Sequence, residues 1–235
     1  MPPTVDIPVT DQFFLFGNCN MVPDQYDTWQ AAYDQLAKHV SVNEPNTLTY
    51  YFGLPLEHVA NPSRTDNMLA FEAYRSRSDL YDIHLQSPVM QEQFLPVAGP
   101  AMSTGLDLTH FGAVGGFLDI SGEKTECGIM HDVQIHCANA AARQEVLGAL
   151  RLLCSMVEAS QAGKGADAEV LTFIGLKSLD NETGARIFAR YKSRDVLEEW
   201  QRGTLIKTFW TAVKPSVSSM EAKPYAPNGK GWLWK

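Results

Sequence analysis

The chain has 235 residues, of which 45% are hydrophobic and 10% aromatic, and its formal net charge at pH 7 is −8. This apolar content is enough for a sizeable folded core, so general disorder is excluded. An acidic chain without basic clusters lacks the surface that binds nucleic-acid phosphates and the segment that attracts anionic membranes, so we expect neither partner.

Four cysteines occur, at Cys19, Cys127, Cys137 and Cys154. They form no C-x-x-C pair and are too sparse for a disulfide scaffold, so we expect buried free thiols. The N-terminus lacks the basic segment and apolar core of a secretory signal, and no apolar run approaches the roughly 20 residues that span a bilayer. We therefore expect a cytoplasmic protein, with export by another route left open.

In the first half of the chain, the pattern predicts four strands and two helices. Residues 12–22 predict the first strand, and Asp24 is a candidate N-cap for the helix that follows. Aromatic and β-branched residues predict strands over 47–54 and 68–74, the latter leading into an amphipathic helix and a Gly- and Pro-broken stretch. Residues 110–119 predict the last strand. The first helix has one apolar stripe, made of Trp29, Ala32, Tyr33, Leu36 and Val40.

The second half repeats this order. A predicted strand over 129–138 is followed by Asn139, a candidate N-cap for a helix, and residues 225–233 predict the closing strand. The predicted strand over 170–176 ends in Gly-Leu, as residues 48–54 do. The helix after Asn139 has an apolar stripe of Val146, Leu150, Leu153 and Val157. Equivalent residues lie 117 positions apart: Phe71 and Phe188, Tyr74 and Tyr191, and Ser76-Arg77 and Ser193-Arg194.

Each half therefore reads β-α-β-β-α-β, the ferredoxin-like arrangement, in which both helices cover one face of an antiparallel sheet. The fold class is α+β, with one repeat in residues 1–122 and a second in 123–235. The bare face of each sheet has to be covered, and the other repeat can cover it. We expect the two tandem repeats to pack as an intrachain dimer that forms a barrel, because covalent linkage makes the effective concentration of the partner very high.

Three segments carry a resemblance to a known family. They are residues 44–50 (Glu-Pro-Asn-Thr-Leu-Thr-Tyr), residues 71–74 (Phe-Glu-Ala-Tyr), and residues 84–88 (His-Leu-Gln-Ser-Pro) after Leu80. This pattern resembles the antibiotic biosynthesis monooxygenase family of the dimeric α/β barrel superfamily, in a tandem-repeat form of the fungal type. It departs from the family where His84 follows Leu80 by four residues instead of three, and where Val89 replaces a second histidine.

The resemblance implies oxidation of a small aromatic or lipophilic substrate by molecular oxygen, in secondary metabolism, without a metal, flavin or haem cofactor. A hydroquinone, phenol or anthrone loses a proton, its anion passes an electron to oxygen, and the radical pair collapses to a hydroperoxide that loses water. The protein has to hold the anion in a dry pocket with room for oxygen. In the second repeat the histidine position falls near Trp200, so we expect the working pocket in the first repeat.

The candidate catalytic residues are His84, Tyr74 and Asn18. His84 has a near-neutral side chain suited to taking a substrate proton, although a helix-surface histidine is the alternative. Tyr74 is a candidate donor to a substrate oxygen or, equally, a core aromatic. Asn18 and Asn20 share one side of an apolar strand, where they either line the pocket or meet solvent. The candidate substrate-binding residues are Asn20, Tyr50, Phe52 and Phe71.

Other functions stay open at this point. His131 and His136 have no third ligand at a recognisable spacing, so we predict no metal site. The alternatives are hydroxylation of an oxylipin such as jasmonate, haem binding or degradation through Asn18 and His84, and non-catalytic binding of a small molecule. A homodimer is compatible with each of them. The tryptophans at 200, 210, 232 and 234 are expected to pack in the core and between the repeats.

Overall fold

Eight antiparallel strands close into a barrel in the computed structural model, which describes residues 7–120, 122 and 124–234. Around the barrel the strand order is β1–β3–β2–β8–β5–β7–β6–β4, so each repeat supplies four neighbouring strands. The strands are β1 (Phe13–Asn20), β2 (Thr47–Pro55), β3 (Asn67–Tyr74), β4 (Asp107–Phe117), β5 (Ile129–Cys137), β6 (Val170–Ser178), β7 (Gly184–Tyr191) and β8 (Val217–Trp232).

The helices lie on the outside of the barrel and bury one face each. They are α1 (Tyr26–Asn43), α2 (Leu95–Ala101), α3 (Ala140–Gln161), α4 (Arg194–Arg202) and α5 (Thr204–Val213). The predicted stripe of α3 is buried at all four positions, and that of α1 is buried except at Ala32, which is half-buried. Each repeat thus has the predicted ferredoxin-like order, and the α+β fold with two tandem repeats in one barrel is confirmed.

The two repeats meet along two strand pairs and at the centre of the barrel. β2 pairs with β8, and β4 pairs with β6, so hydrogen-bonded sheet joins one repeat to the other on both sides. In the interior the equivalent residues Phe71 and Phe188 stack, with ring centroids 4.1 Å apart. Residues on a two-fold axis contact their own counterparts, so this stack marks the internal pseudo-symmetry axis.

The sheet register corrects one detail of the repeat alignment. Tyr51 lies opposite Phe71 in β2 and β3, and Ile174 lies opposite Phe188 in β6 and β7. The two Gly-Leu pairs, which match in sequence, are therefore offset by one residue in the structure: Gly53 lies opposite Leu69, whereas Gly175 lies opposite Ile187, the equivalent of Ala70. Both strands have a register shift at the same structural position, between Thr47 and Thr49 in β2 and between Val170 and Thr172 in β6.

Several predicted helix boundaries differ from the structure. Asp24 does not cap α1: Gln25 occupies the N-cap position, and Asp24 has a φ of +63°, in the left-handed region. Asn139 does cap α3, since its side chain accepts a hydrogen bond from the backbone N–H of Ala142 at 2.9 Å. The helix expected after β3 consists of two π-helical segments, Asp79–His84 and Val89–Phe94, followed by α2.

The closing strand is longer than predicted. β8 begins at Val217, and its first residues pair with β5 although nearly all of them are exposed. They show no alternation of apolar and polar side chains, which is why the sequence does not reveal them. All four cysteines are free and buried, as expected. None of the helices in the described part of the chain is long and apolar enough to cross a membrane.

Candidate active site

A small cavity lies between the outer face of the first repeat's sheet and its helical cover. Its volume is about 50 Å³, which is room for a few water molecules. Sites for drug-sized ligands measure roughly 300–1,000 Å³, so such a ligand requires the helical cover to move. The walls are mainly apolar and include Trp29, Tyr50, Phe52, Leu80 and the polar side chains of Glu72 and His84.

His84 is buried in this wall between a carboxylate and a phenol. Its Nδ1 lies 2.9 Å from Glu44 Oε2, and its Nε2 lies 3.4 Å from the Tyr50 hydroxyl. An ionised carboxylate only accepts hydrogen bonds, so Nδ1 carries the hydrogen and Nε2 faces Tyr50. Glu44, just after α1, also accepts a hydrogen bond from Thr47 Oγ1 at 3.0 Å. The turn between α1 and β2 therefore fixes the orientation of the imidazole.

The π-helical segment explains why His84 is one residue further from Leu80 than in the family pattern. The backbone N–H of Leu85 donates to the carbonyl of Leu80 at 2.8 Å, an i→i+5 bond that gives one turn an additional residue. Leu80 and His84 are both buried and both line the cavity. The additional residue is absorbed in the wider turn, and the imidazole still faces the sheet.

Glu72, in β3, is a second buried carboxyl, and its side chain lines the cavity. Two residues later on the same face of the strand, the Tyr74 hydroxyl donates to Glu72 Oε2 at 2.5 Å. Burial raises the pKa of Glu72 from its usual 4.5 to about 6, and His84 and Tyr74 oppose this shift only in part. Burial, with the charge of Glu72, raises the pKa of Tyr74 well above 10, so Tyr74 remains a hydrogen-bond donor.

The two carboxyls differ in pKa because their surroundings differ. Burial by itself raises the pKa of Glu44, but its hydrogen bonds to His84 and Thr47 and the nearby histidines bring it below the usual range. Glu44 is therefore ionised at neutral pH, whereas Glu72 titrates close to neutrality. Neighbouring titratable groups whose pKa values diverge are characteristic of sites that transfer protons.

Sequence reasoning did not select either glutamate. Glu44 lies inside the quoted Glu-Pro-Asn motif and Glu72 inside Phe-Glu-Ala-Tyr. A signal for Glu72 was available: a glutamate within an apolar strand, two residues before a tyrosine, shares a buried face with it. No comparable signal marks Glu44, because its partner His84 is 40 residues away in sequence.

The predicted site residues divide between the pocket and other places. Besides His84, Tyr50 and Phe52 line the cavity, and Tyr74 reaches it through Glu72. Asn18 lies at its rim, at the exposed end of β1, where its amide donates to Asp107 at 2.8 Å. The remaining two lie elsewhere. Half-buried Asn20 donates to Thr104 at 3.4 Å, and Phe71 stacks in the barrel interior, on the face of β3 opposite to Glu72.

Two unused donors also line the cavity. The indole Nε1 of Trp29 and the hydroxyl of Tyr33 are buried, and neither has a hydrogen-bond partner among the residues that the structure describes. A buried N–H of this kind is available to a ligand oxygen.

Within the same described residues, no three His, Cys, Asp or Glu side chains are placed to hold a metal ion, and His131 instead lies 3.3 Å from Gln201.

No protein-family model matches the sequence, and no curated protein matches it significantly. Solved structures do match. A putative monooxygenase from Lactobacillus acidophilus superimposes with a TM-score of 0.71 at 10% identity, over 95% of this chain and 97% of that one. A putative monooxygenase from Fusobacterium nucleatum gives 0.75 at 11% identity, over 96% and 98%. An anthrone oxidase-like protein gives 0.64 at 11% identity, over 96% and 95%.

The chain has the tandem dimeric α/β-barrel fold. Identities of 10–11% show the fold alone, and the sequence-level resemblance is confirmed at that level. The two repeats differ at the position of Glu72. In the first repeat Glu72 lies opposite Tyr50, and at the equivalent position of the second repeat Ala189 lies opposite Phe173. A carboxyl at this position is therefore present in the first repeat only.

Proposed function

We propose that the protein oxidises a small phenolic substrate, of the hydroquinone, phenol or anthrone type, with molecular oxygen in the pocket of the first repeat. The observation that carries the proposal is the Glu72 carboxyl, which has a pKa of about 6 within an apolar, aromatic wall. A base with a pKa near neutrality is well suited to take a proton from a weakly acidic substrate. The names of the three structural neighbours support the same reaction class.

The reaction begins with transfer of the substrate's proton to Glu72. Tyr74 steadies this carboxyl through its hydrogen bond, and Trp29 Nε1 is a donor for the oxygen anion that forms, since the single hydrogen of the Tyr50 hydroxyl is donated to His84 Nε2. Burial raises the pKa of Tyr50 well above 10, so Tyr50 stays protonated beside that anion. His84, held by ionised Glu44, positions Tyr50 from the other side.

The remaining steps need only oxygen as co-substrate. The substrate anion gives one electron to oxygen, and the resulting radical and superoxide combine into a carbon-bound peroxide. The peroxide takes up a proton, held by Glu72, and eliminates water, leaving one oxygen atom in a new carbonyl group. For an anthrone the balance is a methylene group and O₂ converted to a carbonyl group and water. An apolar pocket favours these reaction steps because it excludes water from the substrate anion and from the radical that follows.

The test is oxygen uptake by the purified protein with a chelator present, over a panel of phenols, hydroquinones, anthrones and an oxylipin. We expect uptake with an aromatic member and, under ¹⁸O₂, one labelled oxygen atom in the product by mass spectrometry. Glu72→Gln is expected to lower the rate by about 10²–10⁴-fold, whereas Glu92→Gln, an exposed carboxylate in the same helical cover, should leave it unchanged.

Three outcomes would contradict the proposal. Turnover of the oxylipin alone would move the substrate class away from phenols. A Soret band that shifts on addition of haemin, without oxygen uptake on any phenol, would favour haem binding. Saturable binding of the aromatic panel with no oxygen uptake would indicate a protein that only binds such molecules.

A further inference from the structure

A second cavity lies under the helices of the second repeat, at the place equivalent to the first. It is bounded by β5, β6, β7 and β8 and by α4 and α5, and its volume is about 190 Å³, against about 50 Å³ in the first repeat. Ile187 lines it where Ala70 lines the first cavity, and these two residues are 117 positions apart, as the other equivalent pairs are. The duplication has therefore preserved a pocket as well as a fold.

The chemistry of this second cavity differs from that of the first. Among the described residues that line it, none is Asp, Glu, Lys or Arg. The polar members are His131 and Gln201, which contact each other at 3.3 Å, and the aromatic members are Phe173, Tyr191, Trp200 and Trp210. A charged ligand would lose its hydration here without gaining a partner of opposite charge, so the occupant has to be neutral.

One polar atom in this wall has no partner. The indole Nε1 of Trp200 is buried and makes no hydrogen bond to any of the described residues. An indole N–H is a donor only, and buried donors of this kind are normally paired. Since Trp200 lines the cavity, an acceptor on a bound molecule can supply the partner that this N–H lacks.

The size of the cavity limits the ligand further. A buried apolar cavity of about 150 Å³ accommodates benzene, so about 190 Å³ suits one or two fused rings. Met220, which is 49% exposed, and half-buried Trp210 lie at the rim and leave an entrance from solvent.

We propose that the second repeat is a separate binding site for an uncharged one- or two-ring aromatic molecule whose carbonyl or ether oxygen accepts a hydrogen bond from Trp200. The aromatic walls supply stacking and apolar contact, and the indole N–H fixes the orientation. The site does not depend on the activity of the first pocket, and it has no carboxyl to act as a base.

The experiment uses the five tryptophan indole N–H resonances of the ¹⁵N-labelled full chain as reporters. The chain is titrated with 2-acetylnaphthalene, which has a carbonyl acceptor, and with 2-ethylnaphthalene, which has the same rings and none. The Trp200 resonance is assigned by its loss in Trp200→Phe, and the Trp29 resonance, which reports the first pocket, by its loss in Trp29→Phe. We expect both ligands to shift the Trp200 resonance, and the ketone to move its proton downfield.

Trp200→Phe keeps an aromatic ring and removes the N–H. It should weaken binding of the ketone by about threefold to tenfold, the value of one net hydrogen bond, and leave binding of the hydrocarbon within about twofold. Ile187→Phe, which fills the cavity, should abolish binding of both ligands, whereas His84→Ala in the other repeat should not change it.

A titration that moves the Trp29 resonance but not that of Trp200, or moves neither, would overturn the proposal. If Trp200→Phe weakened binding of the ketone and of the hydrocarbon equally, the proposed hydrogen bond from Trp200 would be contradicted.

Discussion

At the scale of single residues, the first repeat contains two buried glutamates with different neighbours: Glu72 lines the cavity, and Glu44 contacts His84. Glu44 is compensated by His84 and Thr47 and stays ionised, whereas Glu72 accepts a hydrogen bond from Tyr74 and keeps a raised pKa. In the proposed reaction, Glu44 holds the imidazole in place and Glu72 accepts the substrate's proton. This division of roles follows from which donors reach each carboxyl.

The raised pKa of Glu72 has a consequence for stability that does not require a substrate. The folded state keeps the Glu72 proton up to about pH 6, while the unfolded chain releases it near 4.5. The folded state therefore binds more protons in this window, and the wild-type protein loses stability as pH rises through it. Relative to Glu72→Gln, we expect the free energy of unfolding to fall by about 2 kcal/mol between pH 4 and pH 7. Urea unfolding of both proteins at several pH values measures this, and a constant difference would show that Glu72 is not perturbed.

Tyr74→Phe should move the titration of Glu72 upward. The tyrosine hydroxyl favours the ionised carboxylate, so its removal leaves burial less opposed and raises the pKa further above 6. The pH dependence of kcat/KM for oxygen uptake should shift to higher pH in this variant. Tyr191→Phe, at the equivalent position of the second repeat, is the matched control and should leave the profile in place. A downward shift in Tyr74→Phe would contradict the assignment.

At the scale of elements, the sequence predicts best where local signals agree with the final packing. α3 was predictable because its cap residue and its apolar stripe point to the same boundaries. The π-helical segments after β3 were not predictable, because π-helical turns keep nearly the apolar spacing of an α-helix. The hydrophobic pattern of the sequence therefore does not reveal the i→i+5 hydrogen bond. The candidate site shows the same limit: His84 could be selected from its motif, whereas its link to Glu44 exists only after folding.

The two candidate caps give an element-scale prediction. Asn139→Ala removes the side chain that accepts from Ala142, and should lower the free energy of unfolding by about 1 kcal/mol. Asp24→Gly should change it by less than about 0.5 kcal/mol, because relief of the left-handed backbone offsets the added chain entropy. Chemical denaturation measures both. A loss of 1 kcal/mol or more in Asp24→Gly would show that Asp24 supports α1 after all.

At the scale of the whole molecule, the closed barrel makes the two repeats depend on each other. Strand pairs join them on both sides, and the inner core mixes residues of both repeats without any contribution from α1 to α5. The Phe71–Phe188 stack lies where the internal symmetry axis passes. A chain built in this way conserves its barrel while its two outer pockets diverge, one with a carboxyl and the other without.

A double-mutant cycle tests this central contact. Phe71→Leu and Phe188→Leu should each cost on the order of 1–3 kcal/mol, and the double variant should cost less than their sum by about 0.5–1.5 kcal/mol, the value of an aromatic pair. Phe173→Leu is the control partner, because Phe173 lies in the core under α3 and outside the Phe71 cluster. Its effect should add to that of Phe71→Leu. Simple additivity in both cycles would contradict a direct contact between the repeats' equivalent phenylalanines.

The pH dependence of kcat/KM for oxygen uptake, measured with the most active phenolic substrate for wild type and Glu72→Gln, tests the proposed chemistry most directly. We expect the wild-type value to rise with pH through an inflection near 6, the pKa of Glu72 in the free protein. The Glu72→Gln variant should be slow and lack that inflection. The same inflection in both proteins, or an undiminished rate in Glu72→Gln, would show that the substrate's proton goes elsewhere.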